Sequence, residues 1–310
     1  MNRISYYPGC AVHGTGYEFD LSLKFVMEHL GIELVEISDW NCCGASSAHV
    51  LNETLSLALP VRNLVRADAL KNEILAIPCA ACYSRLKTAK HELHKDAELR
   101  KRVQTVVFDN ATSGPVNYAG TTEVKSMLQF LYEDVGPERI KSLVKAPMGS
   151  LKVASYYGCL LTRPKEITKF DSPEYPTSMD SLMAAIGATP TEFDHKTECC
   201  GASCSITKTE IVYDLVEKIL DAAKDSGADL IVVACPLCQA NLDMRQAEIE
   251  DLRGKKYNLP ILYFTQLIAL AFGVEKSQLR FSSLLVPVES ALSRCAGPMP
   301  TGGKNAKANG

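Results

Sequence analysis

Ten of the chain's twelve cysteines fall into one five-cysteine pattern written twice. The first copy is Cys10, then Cys42-Cys43-Gly44-Ala45, then Cys79-Ala80-Ala81-Cys82. The second is Cys159, then Cys199-Cys200-Gly201-Ala202, then Cys235-Pro236-Leu237-Cys238. Corresponding cysteines are offset by 149, 157 and 156 residues, so each half of the chain is expected to build one thiolate-rich site. Soft thiolates select zinc, copper(I) or iron–sulfur centres. Zinc sites space their ligands by about two to four residues so that the chain can wrap the ion. Adjacent cysteines such as Cys42-Cys43 suit that poorly; they can reach two different metals, or let one sulfur bridge two. Five thiolates also exceed the four that a tetrahedral ion or an ordinary cubane needs. The surplus favours an unusual iron–sulfur cluster over zinc. A structural zinc in one half and a thiol–disulfide switch through the Cys-x-x-Cys pairs are the competing readings. The switch leaves three cysteines of each half unexplained.

Other residues near the motifs could serve a substrate. His13 lies three residues after Cys10 and Arg163 four after Cys159, both in loops at predicted strand ends. Either could pair with a sulfonate, phosphate or carboxylate, or donate a proton to a leaving thiolate, and these two are the candidate catalytic residues. Lys165, His49 and His195 are further cations near the motifs, and a solvated surface charge is the commoner fate of all five. Trp40, just before Asn41-Cys42-Cys43, could shield a cluster or be ordinary core. Cys204 and Cys295 lie outside the repeat; Cys204 maps onto Ser47, so the repeat requires no thiol there.

The positioning elements repeat as well. A β-like run ends at the first cysteine of each half: Ile4 to Cys10 and Val153 to Cys159. Helical spacing follows at Leu23, Val26, Met27 and Leu30, stopping at Gly31, and at Leu182, Met183 and Ile186, stopping at Gly187. A second strand is expected over Glu33 to Ile37 and over Thr191 to Phe193, each leading to the Cys-Cys-Gly-Ala turn. Long helices follow, about Thr54 to Leu70 and Ile211 to Ala223. A third strand, Ile74 to Pro78 and Leu230 to Ala234, runs into Cys-x-x-Cys at the start of a helix. This alternation predicts an α/β fold of two pseudo-symmetric half-domains, each with a small, mostly parallel sheet and right-handed crossovers. All three cysteine groups then lie at strand C-terminal ends, where open α/β sheets place ligands. Between the halves, Val107 to Ser113 and Val116 to Ala119 look strand-like and loop-like. Glu123 to Val135 reads as a helix closing at Gly136-Pro137. The run Ile261 to Phe272 reads as a buried helix.

The 310 residues suit two domains of ordinary size, expected at 1–148 and 149–295, with a Gly/Pro/Lys/Asn-rich tail at 296–310 expected to be disordered. A net charge of −3 offers no electrostatic case for nucleic acid. The N-terminus lacks a signal-peptide apolar core and no apolar run is long enough to span a bilayer, so a cytoplasmic setting is expected. Thiols stay reduced there, and paired cysteines read as metal-binding or catalytic before they read as structural disulfides.

The doubled pattern Cys…Cys-Cys-Gly…Cys-x-x-Cys resembles the cysteine-rich CCG domains of the B-type iron–sulfur subunit of heterodisulfide reductase. The opening Tyr-Tyr-Pro-Gly-Cys and the segment Tyr263-Phe264-Thr265-Gln266-Leu267 are similar to that family too, and the likeness spans about residues 3 to 275. It implies two noncubane 4Fe–4S clusters. By motif position one is held by Cys10, Cys42, Cys43, Cys79 and Cys82, and the other by Cys159, Cys199, Cys200, Cys235 and Cys238. In that family the disulfide of coenzyme M and coenzyme B is reduced between the two clusters. The chain has no C-x2-C-x2-C-x3-C-P ferredoxin motif and no G-x-G-x-x-G flavin fingerprint. Electrons are thus expected from a ferredoxin-like, cubane-cluster partner of the reductase's C type, and through it from a flavin partner of its A type. Two other roles stand against this one: an electron relay in a quinone- or acyl-CoA-linked bacterial complex without a disulfide substrate, and a zinc or thiol redox-sensing module.

Overall fold

The computed structural model describes residues 2–45, 48–108 and 118–295. In the first half the order is β1 (Arg3–Tyr6), α1 (Gly9–Val12), α2 (Tyr17–His29), β2 (Glu33–Glu36), α3 (Ala48–Leu51), α4 (Glu53–Ala69), β3 (Ile74–Ile77), α5 (Ala80–Lys95), α6 (Ala97–Phe108), β4 (Glu123–Ser126) and α7 (Met127–Phe130). After α8 (Pro137–Ser142) the order returns as β5 (Lys152–Tyr156), α9 (Lys165–Thr168), α10 (Ser178–Ala185), β6 (Thr189–Pro190), α11 (Thr209–Asp225), β7 (Leu230–Val233), α12 (Pro236–Met244), α13 (Gln246–Arg253), β8 (Ile261–Tyr263) and α14 (Phe264–Ala271).

Two four-stranded sheets result, ordered β2-β1-β3-β4 and β6-β5-β7-β8. Every strand pair is parallel. The expected α/β repeat is therefore present, with one more strand per sheet than the sequence suggested. Glu123 to Ser126 is a strand rather than the start of a helix. Its neighbour β3 holds it in register, Ile74 opposite Glu123 and Ile77 opposite Ser126. The run that begins at Ile261 likewise opens as a strand, Ile231 opposite Ile261, before turning helical at Phe264. The second half's short strand sits at Thr189–Pro190, two residues earlier than expected, although the Thr191 N–H still donates to the Val153 carbonyl. Most of the segment read as strand-like or loop-like lies outside the described residues; Val107 itself belongs to α6.

Strands β3, β7 and β8 are buried at every position, as parallel strands covered on both faces must be. The core joins the halves reciprocally. Helix α14 packs on α2 and α7 packs on α10; α12 meets α1 and α5 meets α9. Each half thus lends its post-strand helices to the other. Phe19 of α2 stacks on Tyr263 with ring centres 4.5 Å apart and planes 7° from parallel. Beside them the hydroxyls of Ser22 and Thr265 meet at 2.7 Å.

Candidate metal centres

In both sheets the strand order reverses between the first and third strands, the crevice where such folds seat ligands. Cys10 follows β1 and Cys79 follows β3; Cys159 follows β5 and Cys235 follows β7. The third group arrives on the turn after β2 or β6.

The five thiols of each half come together as contacting pairs. Cys43 and Cys82 share a hydrogen bond of 3.2 Å, and Cys10 and Cys42 lie 3.8 Å apart. In the second half Cys200 and Cys238 are 3.6 Å apart, and Cys159 and Cys199 act on each other's pKa. Within each Cys-x-x-Cys motif the two thiols interact as well. Pro236, next to Cys235, packs against Gly16 of the first half, where a Cβ would stand 2.8 Å from it, and α12 meets α1, so the second site lies at the join between the halves. Burial is graded in the same way in both: Cys43, Cys79 and Cys82 are buried below exposed Cys10 and Cys42, while Cys200, Cys235 and Cys238 are buried below partly buried Cys159 and exposed Cys199. Among the described residues no three donors gather about a single-ion point.

Local backbone makes this approach possible. Gly9 and Gly158 adopt φ of +72° and +68°. A Cβ on Gly9 would stand 2.9 Å from the Cys82 sulfur, and one on Gly158 would stand 3.1 Å from the Cys238 sulfur. The chain is pared to bare backbone where sulfur comes closest. In the Cys-Cys-Gly-Ala turns the amides aim inward, and the Gly201 N–H donates to the Cys199 sulfur at 3.3 Å. A donor set of soft sulfurs, a Cβ-free cradle and inward amides fits an iron–sulfur cluster.

The electrostatics differ from thiol to thiol. The pKa of Cys43 is held down at about 7 by its hydrogen bond with Cys82, by the Ala45 N–H and by the Arg85 cation. That of Cys199 is held at about 6 by its bond with Cys159 and by the Gly201 and Ala202 amides. Burial and the charge of Cys42 push Cys10 up to about 11. Cys159 is raised first by Cys199 and then by burial.

Two tyrosines fasten the turns. The Tyr7 hydroxyl donates to the Asn41 carbonyl at 2.8 Å, and the Tyr156 hydroxyl donates to the Glu198 carbonyl at 2.6 Å. Each carbonyl immediately precedes its Cys-Cys pair. Burial raises both phenols, and four thiols of the same site raise them further. The Tyr-Tyr pair before each first cysteine is the signal for these anchors. Arg85 carries no such signal. Arg85 donates to the Ser56 carbonyl at 2.7 Å, yet its buried Nε–H has no partner among the described residues. At the corresponding place Asn241 binds the Cys200 carbonyl at 2.8 Å.

The candidate cations are placed unequally. His13 is exposed, tilted against Trp40 at 5.3 Å and 4.0 Å from the Glu36 carboxylate. Trp40 is half-buried; it meets the Tyr7 ring edge-on at 5.6 Å and donates to Glu36 at 2.8 Å. Arg163 donates to the Pro173 carbonyl at 2.7 Å and the Thr197 hydroxyl at 2.8 Å, two residues ahead of Cys199. Lys165 begins α9, His195 lines a groove with Glu192, Asp194, Asp221 and Asp225, and the His49 side chain lies outside the described residues. Cys204 ends a short turn after Gly201, and Cys295 is 4.0 Å from the Met148 sulfur.

The profile of the cysteine-rich domain, CCG, matches residues 4–87 and 153–243. The 8-methylmenaquinol:fumarate reductase membrane anchor subunit of Wolinella succinogenes is 33% identical over 279 residues, covering 90% of this chain and 95% of that protein. The B-type subunit of the ferredoxin:CoB-CoM heterodisulfide reductase of Methanosarcina mazei is 30% identical over 282 residues, covering 90% and 92%. A protein of Archaeoglobus profundus described as like the heterodisulfide reductase B-type subunit is 28% identical over 280 residues, covering 89% and 92%. Among solved structures, a hypothetical protein from Helicobacter pylori superposes with a TM-score of 0.72 at 14% identity. It shares the fold over 93% of this chain, which spans 52% of that structure's length. No helix among the described residues is long and apolar enough to cross a membrane.

Proposed function

The chain belongs to the cysteine-rich CCG-domain family, and from that premise we propose that it is the iron–sulfur subunit of an oxidoreductase complex that reduces a small disulfide between two noncubane 4Fe–4S clusters. The single observation that supports the reading is the gathering of thiols in both halves, Cys43 with Cys82 at 3.2 Å and Cys200 with Cys238 at 3.6 Å. Each half, 1–148 and 149–295, supplies one site. Cys10, Cys42, Cys43, Cys79 and Cys82 would hold one cluster; Cys159, Cys199, Cys200, Cys235 and Cys238 would hold the other. Bound clusters supply electrons singly, whereas cleaving one S–S bond takes two electrons and two protons and leaves two thiols.

The chain's own part is to bind, orient and shield. The buried inner cysteines keep water from the join, while exposed Cys10, Cys42 and Cys199 mark the open edge where a substrate enters. His13, exposed beside Trp40, is the proton donor on the first half. Arg163, engaged by Thr197 and Pro173, steadies the approach to Cys199 and lends its charge to an anionic substrate. Electrons come from a cubane-cluster partner of the C type and a flavin partner of the A type, in a cytoplasmic complex. A second reading, an electron relay to a quinol-linked partner without disulfide chemistry, is favoured by the Wolinella relative.

Iron and sulfide analysis of anaerobically purified protein tests the cofactor; the expected result is about four irons per half. One zinc per half would sink it. Offering mixed disulfides of small anionic thiols to the reduced complex separates the two roles. Thiol release with a change in paramagnetic signal supports the reductase, and no consumption with unchanged signals supports the relay.

A further inference from the structure

Tyr263 ends β8 and is 2% exposed. Its ring lies flat on Phe19, but its hydroxyl is sealed from water and has no hydrogen-bond partner among the described residues. Buried hydroxyls without partners are rare in native proteins and ask for an explanation. Tyr263 pairs with Val233, two residues before Cys235, so it stands at the strand end where the second-half thiols gather; burial first, and then the charges of Cys235, Glu18, Cys79 and Cys238, raise its phenol.

The repeat provides an internal comparison. Ser126 holds the corresponding place on β4, opposite Ile77 as Tyr263 is opposite Val233. The Ser126 hydroxyl is engaged locally: it accepts the Gln129 N–H at 3.0 Å and caps α7. At Tyr263 the local capping role passes to Gln266, whose Oε1 accepts the Tyr263 N–H at 2.9 Å. The hydroxyl is carried to the far end of a rigid ring, clear of its own backbone.

We propose that Tyr263 is a positioning residue whose hydroxyl donates a hydrogen bond to the cluster sulfur held beside Cys235, a donor that the first-half site lacks. The inference rests on the cluster reading above. Hydrogen bonds to sulfur are one of the determinants of cluster potential, because they favour the more negative, reduced state. The second-half centre therefore takes up an electron before the first.

The test is a redox titration of the complete protein followed by electron paramagnetic resonance, comparing wild type with Tyr263→Phe. Phenylalanine keeps the stack on Phe19 and removes only the hydroxyl. The Cys10→Ala background assigns the second-half signal. The expected result is at least a tenfold loss in that centre's one-electron reduction equilibrium, 59 mV to more negative potential, with full iron content and a smaller or absent shift in the first-half centre. Unchanged potentials in an iron-replete variant overturn the inference, as does an equal shift of both centres. A merely structural hydroxyl would alter the melting temperature and leave the potentials in place. Should Tyr263→Phe lose its iron, replacing Tyr263 with 3-fluorotyrosine decides: its more acidic hydroxyl donates more strongly, so a shift of the second-half potential to more positive values supports the donor and an unchanged potential overturns it. Protein without iron and sulfide would overturn the cluster reading itself, a failure distinct from any of these.

Discussion

Cys43 meets Cys82 at 3.2 Å, and the equivalent thiols of the second repeat, Cys200 and Cys238, stand 3.6 Å apart. The shared hydrogen bond lowers Cys43 and raises Cys82. Two adjacent sulfurs repel when both are charged, so sharing one proton favours a thiolate beside a thiol.

Replacing one outer cysteine separates the two sites. Cys10→Ala should remove most of the first-half iron and leave the second half loaded, so that iron per chain falls by about half; Cys159→Ala should mirror it. Metal and sulfide analysis checks this, and unchanged iron in either variant contradicts the ligand sets.

The two tyrosine anchors differ in redundancy. The Asn41 carbonyl accepts from Tyr7 and also from the Asn63 amide at 2.8 Å, while Tyr156 alone is seen bonded to the Glu198 carbonyl. Tyr156→Phe should therefore cost about 1–3 kcal/mol, the cost of an unsatisfied buried group, and Tyr7→Phe about 1 kcal/mol. Urea unfolding of both variants gives the comparison, and equal losses would contradict it.

Glycine variants distinguish backbone strain from contact with sulfur. Gly31 has φ +66° and nothing within 4 Å of the place a Cβ would take, so Gly31→Ala should cost only the left-handed penalty, about 1–2 kcal/mol. Gly9→Ala bears the same penalty and presses on the Cys82 sulfur at 2.9 Å. It should lose stability and first-half iron together, whereas Gly31→Ala should keep its iron. Thermal melts with parallel metal analysis separate them.

In metal-free reduced protein the thiols should titrate apart. Cys199, exposed and held at about 6, is thiolate above that pH and protonated below it. Cys10, at about 11, stays protonated through neutrality. Alkylation at pH 7 should label Cys199 well before Cys10, and the Cys199 rate should fall as the pH drops through about 6. Peptide mapping by mass spectrometry reads both rates.

The parallel repeat and the three cysteine groups at strand ends are legible in the sequence because alternation and spacing are local signals. The fourth strands are not. Glu123-Val124-Lys125-Ser126 carries two charges and reads as polar. Its lysine is nonetheless buried, with Asp134 at 2.7 Å and Glu133 at 3.2 Å compensating it. Ile261-Leu262-Tyr263 is continuous with an apolar helix, and periodicity cannot divide a short apolar run between strand and helix. The strand at Thr189–Pro190 lies off its expected position because only two residues pair, one of them a proline without an N–H to signal a ladder. At the site, the packing of Pro236 against Gly16 and the unpartnered groups of Arg85 and Tyr263 depend on how the chain closes in three dimensions, which no local spacing encodes.

The reciprocal packing of the halves has the form of an isologous dimer whose two members share one chain. The packing of α14 on α2 is answered, less extensively, by α7 on α10, and that of α12 on α1 by α5 on α9. A single repeat with these surfaces would close on a second copy of itself. Such a homodimer must keep both sites identical. One chain carries no such constraint, and the places where its two halves differ, Ser126 against Tyr263 and Arg85 against Asn241, are where two equivalent sites are given different surroundings.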